Sequence, residues 1–281
     1  MTTCTKTAAC AIPTGKFRIL WDNKFDIAAL DASSEATAFP VENIQHDWFL
    51  KHWRSAIGGI DEYICIDLSD SGIVDRDVRA WIIKSHNLEF TTGDAYAIQG
   101  SDTDLCGSIL VPGSGEVNES FTPTDDIIVG FFDDCPAPAR DFLFWKFVLD
   151  SSGSKGAGDY QWIGRIFLGD YFQPRYRPTA YPETTDIDPS TILMSMAGQK
   201  QANVITQYQR IRYRWGALPA YDVADLKAIF AAVGKHTPYF ICWDSDAAAT
   251  TTYYVRNVSD WTYTPIGNGC YAVEIEVETE R

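Results

Sequence analysis

Histidines, clustered carboxylates and alternating arginines are the residues of this 281-residue chain with the means to carry chemistry. The four histidines, His46, His52, His86 and His236, stand apart from one another. None shows the HExxH spacing that sets two imidazoles on one helix face around a metal. His46 and His52 flank Trp48 and Trp53, where packing or surface roles suit an imidazole better than ligation. Carboxylates gather at Asp125-Asp126, Asp133-Asp134, Asp186-Ile187-Asp188 and Asp244-Ser245-Asp246. A calcium loop or a glycosidase acid/base pair draws on such residues, yet Asp244-Ser245-Asp246 lacks the further oxygen ligands of an EF-hand, and acidic loops of an acidic protein are usually solvated turns. The chain has no GxSxG elbow, phosphate loop or dinucleotide fingerprint. The sequence therefore nominates no catalytic residue, no metal ligand and no cofactor.

The alternating arginines are Arg210, Arg212 and Arg214 in QRIRYRW, residues 209–215. On a strand they share one face, and Ile211, Tyr213 and Trp215 share the other. The last strand, residues 271–278, has the complementary pattern: Tyr271, Val273, Ile275 and Val277 on one side, Glu274, Glu276 and Glu278 on the other. Cross-strand pairing of Arg210, Arg212 and Arg214 with Glu274, Glu276 and Glu278 is the expected use of both stripes, with the apolar backs under a helix. The competing use is a basic stripe reserved for a partner.

Aromatic faces are a second source of binding chemistry, because a ring stacks on the apolar face of a pyranose. Trp48, Trp53, Tyr171 and Phe172, with Tyr176 beside them, are the candidates for glycan or partner contact, set against the packing role most aromatics play in a β-rich core.

The elements that must position these residues are strands. Hydrophobic residues make up 46% of the chain and aromatics 14%, which excludes a disordered polypeptide. With 38 acidic against 23 basic residues, the net charge of -15 opposes nonspecific nucleic-acid binding. No apolar run approaches a bilayer span, and residues 1–21 make too short an apolar stretch for a secretory signal. Seven cysteines without a CxxC pair fit thiols in a reducing compartment, with the roles of Cys4 and Cys10 left open.

Short alternating or apolar runs at residues 17–21, 63–68, 78–83, 142–149 and 162–168 predict an antiparallel sandwich, with 151–158 as a hairpin loop. Prolines 174, 178, 182 and 189 predict an extended connector. Beyond it, Asp222 as N-cap, an apolar face of Val223, Leu226, Ile229, Phe230 and Val233, and Gly234 as terminator predict one main helix. The expected fold is mainly β: 1–38 an N-terminal arm and first strand, 39–178 an N-terminal antiparallel β-sandwich of jelly-roll type, and 179–281 a smaller C-terminal α+β domain.

Residues 39–44 (FPVENI), Trp53-Arg54-Ser55, Ile64-Cys65-Ile66-Asp67-Leu68 and Ser85-His86-Asn87-Leu88 resemble the start of a discoidin-like (F5/8 type C) sandwich. The same order, with residues 140–149, IGRIFLG at 163–169, Pro174, SMAGQ at 195–199 and Pro238-Tyr239-Phe240, resembles tail-associated proteins of long-tailed bacteriophages. Residues 1–38 match neither, and Phe142 stands where Tyr or Trp is expected. The resemblance implies a structural virion protein of the tail or baseplate, acting through contacts with other virion proteins and with copies of itself. It implies residence in the virion tail, assembly in the host bacterial cytoplasm and no enzymatic activity. The leader and the proline-rich connector would then be arms ordered on assembly. The alternative is a carbohydrate-binding adhesin for host surface glycans, and a glycan-degrading enzyme is the weakest reading. Neither nucleic acid nor membrane insertion is expected of it.

Overall fold

The computed structural model describes residues 16–48, 51–56, 61–69, 76–91, 94–103, 117–123, 126–133, 140–150, 159–179, 181–194, 200–203 and 206–280. They are mainly antiparallel β-structure in two compact units. Unit 1 comprises Asp22–Tyr171 and Asp246–Thr252; unit 2 comprises Lys16–Trp21, Phe172–Ser245 and Tyr253–Arg281.

Strand β1 (Arg18–Asn23) lies mostly in unit 2. Unit 1 continues through β2 (Ala29–Ala32), β3 (Trp53–Arg54), β4 (Asp61–Asp67), β5 (Ala80–His86), β6 (Ala95–Ser101), β7 (Val117–Ser120), β8 (Ile127–Phe131), β9 (Phe144–Asp150) and β10 (Trp162–Phe172). One sheet runs β2-β4-β9-β6-β7, and facing it β10-β5-β8 runs in order with β3 paired to the start of β10. Alternation decides what is buried. Trp145, Phe147 and Leu149 of β9 point into the core beside Ile64 and Ile66 of β4, and meet Trp81, Ile83 and Ile166 from the opposite sheet. Trp81 and Phe147 touch edge-on across the layers, with centroids 6.0 Å apart.

Each sheet seats a tryptophan across from a glycine. Trp81 is directly opposite Gly130, and Trp145 directly opposite Gly100. A Cβ on Gly130 would stand 2.2 Å from the Trp81 ring, and one on Gly100 would stand 2.5 Å from Phe142 and 3.1 Å from Trp145. The indoles occupy the space that a side chain would need.

Unit 2 contains β11 (Glu183–Ile187), β12 (Thr191–Met194), β13 (Lys200–Asn203), β14 (Tyr208–Pro219), helix α1 (Ala220–Val233), β15 (Tyr239–Cys242), β16 (Thr252–Asn257), β17 (Thr262–Gly267) and β18 (Cys270–Thr279). Its strands run β11-β14-β18-β16-β15-β1, β17 also pairs with β18, and β12 with β13 forms a separate two-stranded sheet. Val223, Leu226, Ile229 and Val233 of α1 cover Ile211, Tyr213 and Trp215 of β14 and Val273, Ile275 and Val277 of β18. On the opposite face Arg210 pairs in register with Glu278, Arg212 with Glu276 and Arg214 with Glu274. Arg212 reaches Glu276 at 2.9 Å and Glu274 at 3.2 Å, while Arg214 reaches Glu183 of β11 at 2.8 Å and Glu274 at 3.0 Å.

Four expectations are corrected. The first strand is part of unit 2, not of an N-terminal arm, because Arg18–Leu20 pair with β15 and Phe17 packs edge-on against Tyr213 and Trp215 at 5.2 and 5.1 Å. Residues 22–38 belong with the sandwich, since β2 pairs with β4, and the sandwich ends at Tyr171, not at 178. Strands β9 and β10 lie in opposite sheets, so they make no hairpin; residues 151–158 fall outside the described ones, as does the leader 1–15. Helix α1 starts at Ala220 behind Pro219, which leaves Asp222 inside the first turn, accepting from the Arg175 amide at 3.0 Å.

Gly130→Ala is expected to lower unfolding stability by about 1–3 kcal/mol, since a fully buried indole has to move, and a urea melt measures it. A double-mutant cycle on Arg212→Ala and Glu276→Ala should give a coupling of about 0.2–1 kcal/mol that shrinks in molar salt.

Candidate functional site

The end of the sandwich away from Asp22 and Tyr171 gathers aromatic side chains around an arginine. Strand β3 is only two residues long, and it sets Arg54 opposite Trp162 and Trp53 opposite Ile163. Alternation sends Trp53 into the core and Arg54 outward. The Arg54 guanidinium lies between two rings, 4.4 Å from the centroid of Phe39 and 4.8 Å from that of Tyr160. Phe39 stacks on His52 at 4.6 Å with an interplanar angle of 21°, and His52 approaches Trp162 at 5.5 Å. Phe39, His52, Arg54 and Trp162 are half-buried and Tyr160 is exposed. Among the described residues no carboxylate pairs with Arg54, whose guanidinium is flanked by the Phe39 and Tyr160 rings.

Hydrogen bonds fix this surface from beneath. Asn87 donates to the Tyr160 carbonyl at 2.9 Å and accepts from the Trp162 amide at 2.7 Å, and Asn43 donates to the His52 carbonyl at 3.1 Å. The Arg54 amide donates to the Phe39 carbonyl at 3.2 Å, and its carbonyl accepts from Ala36 at 2.8 Å. Deeper, Ser55 and Gln161 exchange bonds at 2.9 Å. Buried Glu62 accepts from the hydroxyls of Ser33 and Ser34, and the Ser34 hydroxyl accepts the Ala56 amide at 3.0 Å. This network ties the loops to the strands.

The buried Arg165 side chain holds the adjoining turn over Val41–Gln45. Arg165 grips Asp26 at 2.7 Å, reaches Asp47 at 3.4 Å and donates to the Ile44 carbonyl at 3.1 Å. Burial pushes the Asp26 carboxyl above the usual range, against the pull of Arg165.

Of the residues singled out in the sequence, Trp48 is 69% exposed, beyond that turn. Trp53 is a correction: it is fully buried, its indole N–H donating to the Ser34 carbonyl at 3.1 Å. Tyr171 is also buried, with its hydroxyl on Asp133 and its ring 4.1 Å beneath the Arg79 guanidinium. Phe172 packs against the core of unit 2. None of these three is placed to stack on a ligand. Phe39, Arg54, Tyr160 and Trp162 were missed as a set because they come from three separate stretches. The one local sign was Trp-Arg at 53–54, whose alternation sets one side chain inward and the other outward. Among the described residues no three His, Cys, Asp or Glu side chains gather as a metal site.

No family model matches the chain, and no curated protein matches it. Among solved structures it is similar to chitosan-binding module 1 of a Paenibacillus sp. IK-5 chitosanase/glucanase, at 15% identity and TM-score 0.39 over 53% of this chain and 98% of that one. It is similar to the family 32 carbohydrate-binding module of Clostridium perfringens NanJ in complex with galactose, at 14% identity and TM-score 0.37 over 56% of this chain and 99% of that one. It is also similar to a Streptococcus pneumoniae fucose-binding module, at 10% identity and TM-score 0.37 over 53% of this chain and 98% of that one.

His86, at the same end of the sandwich, accepts from the Leu88 amide through Nδ1 at 3.2 Å. Burial lowers its pKa from 6.5 to about 4, against the nearby Asp126 carboxylate. The unfolded chain takes up a proton between those values and the folded chain does not, so this contribution is intact above pH 6.5 and is lost as pH falls toward 4. At about 1.4 kcal/mol per pK unit, roughly 3 kcal/mol of stability should disappear across that window. His86→Gln should flatten the fall in urea melts between pH 7 and 4.

Proposed function

We propose that unit 1 is a carbohydrate-binding module, without catalytic activity, that holds a neutral pyranose on the surface formed by Phe39, His52, Arg54, Tyr160 and Trp162. The observation that carries this reading is Arg54, held between two rings with no carboxylate partner among the described residues. The aromatic faces supply apolar contact for the C–H side of a sugar, and the guanidinium supplies donors for ring hydroxyls. A rigid, half-buried array loses little conformational entropy on binding.

A second reading is that of a structural subunit in a virion tail, present there in many copies and touching host glycans through the same surface. It is favoured by the β12–β13 pair, which forms a sheet of its own. A lone hairpin is marginal in water and gains from packing on a neighbour. Particle images showing that hairpin against another chain would bear on this reading directly.

A glycan array with the full chain should give saturable binding to a subset of neutral sugars. Trp162→Ala and Arg54→Ala should each weaken it by about tenfold or more, at about 1.4 kcal/mol per decade, while Trp48→Ala tests whether the exposed indole adds to the surface. An array without hits, or hits unaffected by both Arg54 and Trp162 changes, would sink the proposal.

A further inference from the structure

Unit 2 carries an aromatic and arginine surface of its own. Residues 173–179 cross the unit as a strap, with Pro174 and Pro178 buried. The strap is pinned along its length: the Trp215 indole donates to the Tyr176 carbonyl at 2.9 Å, and the Thr179 amide and hydroxyl both donate to the Arg214 carbonyl, at 2.8 and 3.1 Å. With the Arg175 amide on Asp222, the backbone is tied to β14 and to α1. This stretch is folded onto its own unit, which departs from the expected free arm.

Between the pins, side chains point to solvent. Tyr176 is 56% exposed, Tyr181 85% and Tyr221 49%, three of the large apolar groups that unit 2 leaves to water. The Arg175 guanidinium lies 5.1 Å over the Tyr221 ring, and that of Arg177 lies 5.3 Å over Trp243. Tyr181 meets the same indole at 5.9 Å. Arg177 reaches Asp244 at 3.7 Å and donates through one guanidinium nitrogen to the Trp243 carbonyl at 3.3 Å, while Arg175 lies near the Asp222 carboxylate without forming an ion pair among the described residues. Arg212 and Arg214 of the same unit are by contrast each held by two or three carboxylates.

We infer that this strap surface is a second binding site, selective for an acidic glycan that bears uronate carboxylates. Tyr176, Tyr181 and Tyr221 offer ring faces to the sugar, and Arg175 and Arg177 offer planar forks to its carboxylates. A guanidinium already stacked on a ring is pre-oriented, so less freedom is lost when the carboxylate arrives. The negative field of the rest of the chain works against any polyanion that lacks the sugar faces, and this separates a uronate from a simple charge. This site is in unit 2 and does not depend on the neutral-sugar reading of unit 1.

Trigalacturonate titrated into the full chain, followed by tryptophan fluorescence and calorimetry, tests the inference. Saturable binding is expected, weakening as salt rises, and about tenfold or more weaker for Arg175→Ala with Arg177→Ala and for Tyr181→Ala. The last side chain is almost wholly in solvent, so its loss leaves the fold intact. Arg54→Ala should bind trigalacturonate as the unaltered chain does, which keeps failure at one site distinct from failure at the other. Equal affinity for the carboxyl-reduced trisaccharide, equal affinity for tripolyphosphate, or binding indifferent to all three strap changes would overturn it.

Discussion

The sandwich depends on how two indoles are seated. Trp81 and Trp145 are among its largest fully buried side chains, and each lies against a glycine directly across the ladder. A pleated sheet of uniformly bulky residues leaves no room for a flat bicyclic ring lying over its neighbour strand. Removing the opposing Cβ makes that room, and the ring then covers the backbone that the glycine exposes. Phe121, Phe132, Phe142 and Phe147 pack around the two indoles at centroid distances of 4.9 to 6.0 Å. Interlocking of this kind resists displacement, since close-packed interiors offer no slack.

Rigidity in the core is what allows irregular chain to be held in a defined shape at the end of the sandwich. The loops there contribute buried polar groups, and these meet partners from the sheets: Ser55 with Gln161, Ser33 and Ser34 with Glu62, Asn87 with residues 160 and 162. An unpaired group in any of these places would cost about 1–3 kcal/mol, so the loops have one favoured arrangement. That arrangement leaves Phe39, Arg54, Tyr160 and Trp162 partly in water, around a guanidinium that faces no carboxylate among the described residues.

Charge is spent differently in the two parts of the chain. On the open face of the unit 2 sheet, Arg212 and Arg214 are held among Glu183, Glu274 and Glu276 in solvent, where each pair contributes little. Arg165 of unit 1 is buried with Asp26, where its role is to hold the Val41–Gln45 turn. Arg54 and Arg175 belong to neither kind. Both are stacked on aromatic rings, and both are left with donors for a ligand.

Alternation along β14 and β18 is legible in the sequence because strand period is a local property: each side chain's face follows from its neighbours. The helix over residues 220–233 is legible for the same reason, apart from its start, where Pro219 outranked Asp222 as the boundary. Which strands become neighbours is not local. The pairing of β1 with β15 joins residues more than two hundred positions apart, and only the packing of Phe17 and Ile19 into the second core decides it. The exposure of Trp48 and the burial of Trp53, two tryptophans five positions apart, likewise turn on a two-residue strand whose partner lies at 162–163. So the charged stripe and its apolar back were readable from the residues, but the grouping of Phe39, Arg54, Tyr160 and Trp162 arises only when the sheets close, because contact between distant segments is set by core packing and not by spacing along the chain.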